Sequence, residues 1–196
     1  LGSDPEAYTN NPDKLAFNGD HRLRGQLRVA RVLNWAIPQV PAHTLALITE
    51  ICENYDIDGL ELDFMRHARY FPQEETTEED RVRIMTQFVA DVRAVLDRTA
   101  GAGRRRWLCV RVPQRLRQHG ELGIDLARWV TAGVDMVNLS CHFVTEQQSD
   151  LAKICRLLPG TPVYLETTFV NQRYAKPTGP RTSRNEVYRK MTAEQF

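Results

Sequence analysis

Asp58-Gly59-Leu60-Glu61-Leu62-Asp63-Phe64 alternates apolar and acidic residues with a period of two, the pattern of a strand whose successive side chains point to opposite faces. On its N-terminal side Leu45, Ile48, Cys52 and Tyr55 recur at helical spacing and predict a helix over Ala42–Asn54. On its C-terminal side a polar loop leads into a long amphipathic helix marked by Val82, Met85, Phe88, Val89, Val92 and Leu96. That helix has a readable start. Thr77 followed three residues on by Asp80 resembles a capping box, and acidic residues crowd the first turn, where the helix dipole favours them.

The helix–strand alternation continues outward. Trp107–Pro113 reads as a second strand, Ile124–Thr131 as a short helix closed by Gly133, and Asp135–Phe143 as a third strand. Ser149 then caps a helix through Leu158, Pro159-Gly160 ends it, and Val163–Phe169 makes a fourth strand. Arg28–Ala36 holds one further strand, before Pro38 and Pro41, while Pro177, Gly179 and Pro180 mark a long loop. Helices between successive strands imply parallel pairing and an α/β fold. Open doubly wound sheets would fit too, but no GxGxxG or GxxxxGK[ST] accompanies any strand-to-helix turn. The expectation is therefore a parallel (β/α)8 TIM-type barrel. A complete one needs about 250 residues and eight strands, so residues 1–196 are expected to be a single partial barrel domain carrying about strands three to seven, truncated at both ends. Met191–Phe196 reads as a helix cut at its start, and Leu1-Gly2-Ser3-Asp4-Pro5 has no charged-then-apolar leader, as in a mature product or an excised piece.

Composition narrows the partners. The 26 Lys+Arg against 25 Asp+Glu leave a formal charge of +1, which gives no electrostatic reason to expect nucleic acid or an anionic membrane. No window approaches the ~18 apolar residues of a membrane helix. The run Arg104-Arg105-Arg106 is short and reads as a solvated turn. Cys52, Cys109, Cys141 and Cys155 stand singly in apolar segments without CxxC spacing, as buried free thiols do. The compartment stays open, a secreted or periplasmic setting included, and so does the oligomeric state.

In a parallel sheet covered on both faces each strand should be apolar throughout, so a strand with one polar parity demands an explanation. Four strands have that parity. If Leu60, Leu62 and Phe64 face the helices, Glu61 and Asp63 face the other way; Cys109 and Arg111 follow by the same rule, as do Asn138, Ser140 and His142, and Tyr164, Glu166 and Thr168. These polar residues lie toward the C-terminal strand ends, where barrel enzymes assemble their sites. Buried carboxyls converging around Arg111 would push one another's pKa values apart, so that one serves as acid while another stays ionised. Glu61, Asp63 and Glu166 are accordingly the candidate catalytic residues. The competing reading makes Glu61 and Asp63 structural ion-pair partners of Arg111, Arg66 or His67. His142 has no second His at ligand spacing and reads as a hydrogen-bonded residue rather than a metal ligand. No cofactor is implied.

Leu33-Asn34-Trp35-Ala36-Ile37-Pro38-Gln39-Val40, then a helix, then Tyr55-Asp56-Ile57-Asp58-Gly59-Leu60-Glu61-Leu62-Asp63-Phe64-Met65-Arg66-His67 resembles the family 10-like glycosyl hydrolase-like proteins, with Val110-Arg111-Val112-Pro113 and Tyr164-Leu165-Glu166 in support. The resemblance implies a (β/α) barrel in which Asn34 ends the third strand, Glu61 and Asp63 the fourth, and Glu166 the seventh. By analogy with retaining glycosidases it implies Glu61 or Asp63 as proton donor and Glu166 as nucleophile. Asn34, Arg66, His67, Arg111, Asn138 and His142 would then bind substrate. The same run is similar to the DxxDxDxE signature of chitinase-type family 18 hydrolases, with Asp58, Glu61 and Asp63 at acidic positions, but Met65 stands where the catalytic Glu would be.

The expected function is therefore glycoside hydrolysis of a poly- or oligosaccharide through paired carboxylates, with a carbohydrate substrate as partner. The alternative is a non-catalytic carbohydrate-binding or scaffolding domain. A third reading, a metal-assisted lyase or hydrolase using Asp63, His67 or His142, would show itself as sensitivity to chelation.

Overall fold

Four segments pair in parallel and in sequential order: β3 (Gly59–Asp63), β4 (Trp107–Pro113), β5 (Met136–Ser140) and β6 (Val163–Leu165). The computed structural model describes residues 16–18, 31–65, 69–140, 149–166, 170–173 and 187–190 of the chain. Helix α1 (Gln39–Asn54) precedes β3, and α2 (Glu78–Thr99) joins β3 to β4. The short α3 (His119–Leu122) and α4 (Leu126–Thr131) join β4 to β5, and α5 (Leu151–Leu157) joins β5 to β6. Right-handed crossovers between strands laid down in order put every connecting helix on the same face of the sheet. Burial follows that rule. Leu108, Val110, Val112, Val137 and Leu139 are 0% exposed against the helices, while Glu61, Asp63 and Tyr164, of the opposite parity, are exposed.

The expected (β/α)8 barrel is corrected by this sheet. Among the described residues it has four strands, and its edge strands β3 and β6 pair with nothing further. The segment expected as a preceding barrel strand forms β2 (Arg31–Leu33), which pairs antiparallel with β1 (Ala16–Asn18). Beyond β6, β7 (Val170–Arg173) pairs antiparallel with β8 (Val187–Lys190). Local antiparallel pairing satisfies the same backbone groups that lateral addition to a parallel sheet would, and the βα alternation contains no information that selects one over the other. The expected loop at Pro177–Pro180, the helix start at Met191, Leu1–Pro5, Cys141–Phe143 and Thr167–Phe169 lie outside the described residues.

The core is the layer between sheet and helices. α2 contributes Val82, Met85, Phe88, Val89, Val92, Val95 and Leu96, all at most 6% exposed, and each such side chain stabilises by roughly 1.5–3 kcal/mol when fully buried. Its start is built as the sequence predicts: the Thr77 hydroxyl accepts from the Asp80 amide at 3.1 Å and donates to the Asp80 carboxylate at 2.6 Å. Gly133, with φ 108°, follows α4. The cap of α5 is displaced by one residue, since Asp150 occupies the N-cap while the Ser149 hydroxyl accepts from the Leu151 amide.

Two expectations about charged and sulfur residues are corrected. Arg106 is no solvated turn: it is 5% exposed and donates to the carbonyls of Cys52 and Tyr55 and to the Thr99 hydroxyl. It thereby closes the end of α1 over the end of α2, satisfying carbonyls that the last turn leaves open. Arg105 meets Asp135, and Arg104 meets Asp56 and Asp58. Cys52 is buried as expected, but Cys155 is exposed on α5.

Gly59 sits where β3 starts against β4, and a Cβ there would lie 2.2 Å from the Trp107 carbonyl oxygen. Gly59→Ala is expected to lower unfolding free energy by about 1–3 kcal/mol through overpacking; an unchanged urea midpoint would contradict this close approach. His119 is 5% exposed and donates from Nε2 to the Pro113 carbonyl at 2.8 Å. Burial holds its pKa below the usual 6.5, against the opposing influence of the Pro113 carbonyl, Asp150 and Asp125. The unfolded chain then binds the proton more readily, so stability falls as pH drops below about 6.5. His119→Gln, which keeps a donor but does not titrate, should lose less stability than the wild type between pH 7 and pH 5 in parallel denaturant titrations.

Candidate functional site

Register decides which polar side chains meet. Glu61 aligns with Cys109, Asp63 with Arg111, Arg111 with Asn138, and Asn138 with Tyr164. With side chains of one parity on one face, these residues line the face that the helices leave uncovered.

Arg111 is the hub of that face. Its Nη1 lies 3.0 Å from both Asp63 oxygens. Its Nε and Nη2 grip Glu166 side-on, at 2.6 Å to Oε2 and 3.0 Å to Oε1, and Nη2 also reaches the Ser140 hydroxyl at 2.8 Å. The planar fork of donors lets one guanidinium hold two carboxylates. The pKa of Arg111 is raised, first by the bond to Glu166 and then by Asp63, against the cost of burial. The Asp63 Oδ1 oxygen also accepts from the Met65 amide at 2.8 Å, which ties the strand end to the carboxylate.

Glu61 is held differently. Its Oε2 accepts from the Cys109 thiol at 3.3 Å and from the Asn138 amide at 3.2 Å. Glu61 and Asn138 sit on strands two spacings apart, roughly 9.5 Å, and meet diagonally across β4, where Cys109 is the partner of Glu61 and Arg111 that of Asn138. Burial, then the bond to Glu61 and its charge, push the Cys109 thiol up to about 12, so it stays a protonated donor. Among the described residues Glu61 contacts no cation, and its Oε1 accepts no hydrogen bond.

The convergence of Asp63 and Glu166 on Arg111 is as the strand parity predicts. The expected mutual burial of the three carboxyls is not: the side chains of Asp63 and Glu166 are 44% and 39% exposed, and Glu61 is exposed, because among the described residues no helix lies over this face. Asn34 is buried, but its Oδ1 accepts from the Ala36 amide at 3.0 Å in a local turn, and no described hydrogen bond brings it to the Arg111 cluster. Arg66, His67 and His142 lie outside the described residues.

Tyr70 escaped the strand-parity argument. Its carbonyl accepts from the Trp35 amide at 2.9 Å, and its ring meets Trp35 and Phe64 edge-on at 5.7 and 5.9 Å. Burial, aided by the charge of Asp63, raises the pKa of its phenol. The signal available in the sequence was Tyr70-Phe71-Pro72, an aromatic pair in a stretch expected to be a polar loop. Among the described residues no group of three or more His, Cys, Asp or Glu is arranged to hold a metal, and no helix is long and apolar enough to cross a membrane.

No known protein-family model matches the chain, and no curated protein matches it either.

Removing the hub leaves two carboxylates facing each other. Arg111→Met is expected to cost about 1–2 kcal/mol, less than the ~3–5 kcal/mol of breaking a fully buried pair, because both partners keep part of their hydration. Urea unfolding at low and high salt measures it, and a salt-independent loss would rule out an electrostatic origin.

Proposed function

We propose that the polar face is a glycoside hydrolase site acting on a poly- or oligosaccharide through paired carboxylates. The observation that carries the reading is the unequal treatment of the carboxyls: among the described residues Glu61 meets only neutral donors, whereas Asp63 and Glu166 share the Arg111 guanidinium. Glycoside hydrolysis needs such a division, one carboxyl that delivers a proton and another that stays anionic. Glu61 protonates the leaving oxygen as the glycosidic bond breaks. A carboxylate of the Arg111 pair then acts in one of two ways: as nucleophile it forms a glycosyl ester that water hydrolyses while Glu61 takes the water's proton and is restored, or as base it takes the proton of the attacking water itself, and exchange with solvent resets both carboxyls. The resemblance of the Asp58–Arg66 run to the family 10-like glycosyl hydrolase-like proteins supports the same assignment, with Asn138 and the exposed Tyr164 placed to contact sugar hydroxyls and rings. A non-catalytic carbohydrate-binding role is favoured by one observation, that Arg111 pairs with both Asp63 and Glu166 as a structural ion-pair partner does.

Reducing-end release from a panel of polysaccharides and oligosaccharides separates the two. Glu61→Gln should lower kcat by about 10²–10⁴ with the circular dichroism spectrum intact, and Asp63→Asn or Glu166→Gln should lower it as well. Full hydrolysis by all three variants would sink the assignment; a wild type that binds sugar and cleaves none would establish the binding role.

A further inference from the structure

A carboxylic acid carries its proton on one oxygen, and that oxygen becomes a donor while the other remains an acceptor. In Glu61 both described contacts, the Cys109 thiol at 3.3 Å and the Asn138 amide at 3.2 Å, fall on Oε2. An oxygen that accepts two hydrogen bonds cannot also carry the proton without giving one of them up. The proton is therefore excluded from Oε2 and left to Oε1, which accepts no hydrogen bond among the described residues.

We propose that Cys109 and Asn138 are positioning residues that clamp Glu61 by Oε2, so that Oε1 is the oxygen that delivers the proton. This rests on the hydrolase reading of the site. Three features of the fold build the clamp. Parallel register sets Cys109 beside Glu61 on the neighbouring strand. Asn138, two positions further along β5 than the Met136 that pairs with Cys109, reaches Glu61 diagonally across β4. The thiol, pushed up to about 12, remains S–H and hence a donor across the whole neutral range, which a cysteine of ordinary acidity would not on the alkaline side. Cys109 is thus neither a nucleophile nor a redox group here; it acts through Glu61.

Two measurements test the clamp separately from the hydrolase reading. The first is alkylation of Cys109 by iodoacetamide at pH 9, followed on its own peptide by mass spectrometry, in the wild type and in Glu61→Gln. Removing the carboxylate charge should speed alkylation about tenfold or more, since the thiolate fraction rises tenfold for each unit of lowered pKa. The second is hydrolysis of alkyl glycosides, whose leaving oxygen departs only with a proton. Cys109→Ala should lower kcat about tenfold with KM changed less than twofold and should displace the basic limb of the pH profile, and Cys109→Ser, which restores a donor, should recover most of the lost kcat. Equal alkylation rates in wild type and Glu61→Gln would overturn the clamp while leaving the hydrolase reading standing. Equal kcat in Cys109→Ala and wild type would overturn the positioning role. A wild type that cleaves no glycoside, with the thiol still shielded by Glu61, would overturn the hydrolase reading and the proton-delivery role together, leaving only a structural contact.

Discussion

Right-handed connection of sequential parallel strands is the constraint on which the rest of this molecule depends. β3, β4, β5 and β6 follow one another across the sheet in chain order, so each crossover must place its helix on the same side. The strand parity that faces the helices is then obliged to be apolar, and it is: the β4 and β5 side chains of that parity are fully buried. The other parity is released from that obligation. A face that none of the described helices covers can carry Glu61, Asp63, Arg111 and Asn138 without the desolvation penalty that an enclosed sheet would impose on them.

On that face one guanidinium does most of the organising. Arg111 is 17% exposed while its partners remain partly hydrated, a compromise in which the charge is covered but the carboxylates keep access to solvent and to a ligand. The consequence is chemical as well as structural. Asp63 and Glu166 are bound to a fixed positive charge, Glu61 is bound to two neutral donors, and three residues of one acidic type are set into different roles by what lies beside them. The opposite, N-terminal end of the sheet uses the same chemistry for anchorage alone. There Asp135 gathers Arg93, Arg105 and the Leu108 amide, and Arg106 closes the end of α1.

Much of this was legible in the residues. The period-two run Asp58–Phe64 placed β3 to within a residue at each end, Thr77 and Asp80 placed the start of α2, and strand parity alone brought Asp63 and Glu166 to Arg111. The misses share a cause. Arg106 reads as surface because a basic run has no periodicity to reveal that its middle carbonyl partners come from Cys52 and Tyr55, some fifty positions earlier. Asp135 and Tyr70 escaped for the same reason, and nothing in Leu33-Asn34-Trp35 says that the Asn34 side chain turns back on Ala36.

By itself the sequence determined where the four parallel strands and the longer helices lie, which side of each parallel strand is polar, and which residues could supply acid, anion and cation. These are local properties, set by periods of 2 and 3.6 residues that any short window displays. The tertiary structure alone decided three things: that the parallel strands form an open sheet of four among the described residues, that its polar face is hydrated, and that Glu61 belongs to Cys109 and Asn138 while Asp63 and Glu166 belong to Arg111. Each of these depends on how far one strand is shifted against the next and on what pairs with the outer strands. Both are contacts between residues distant in sequence, and no local pattern encodes them.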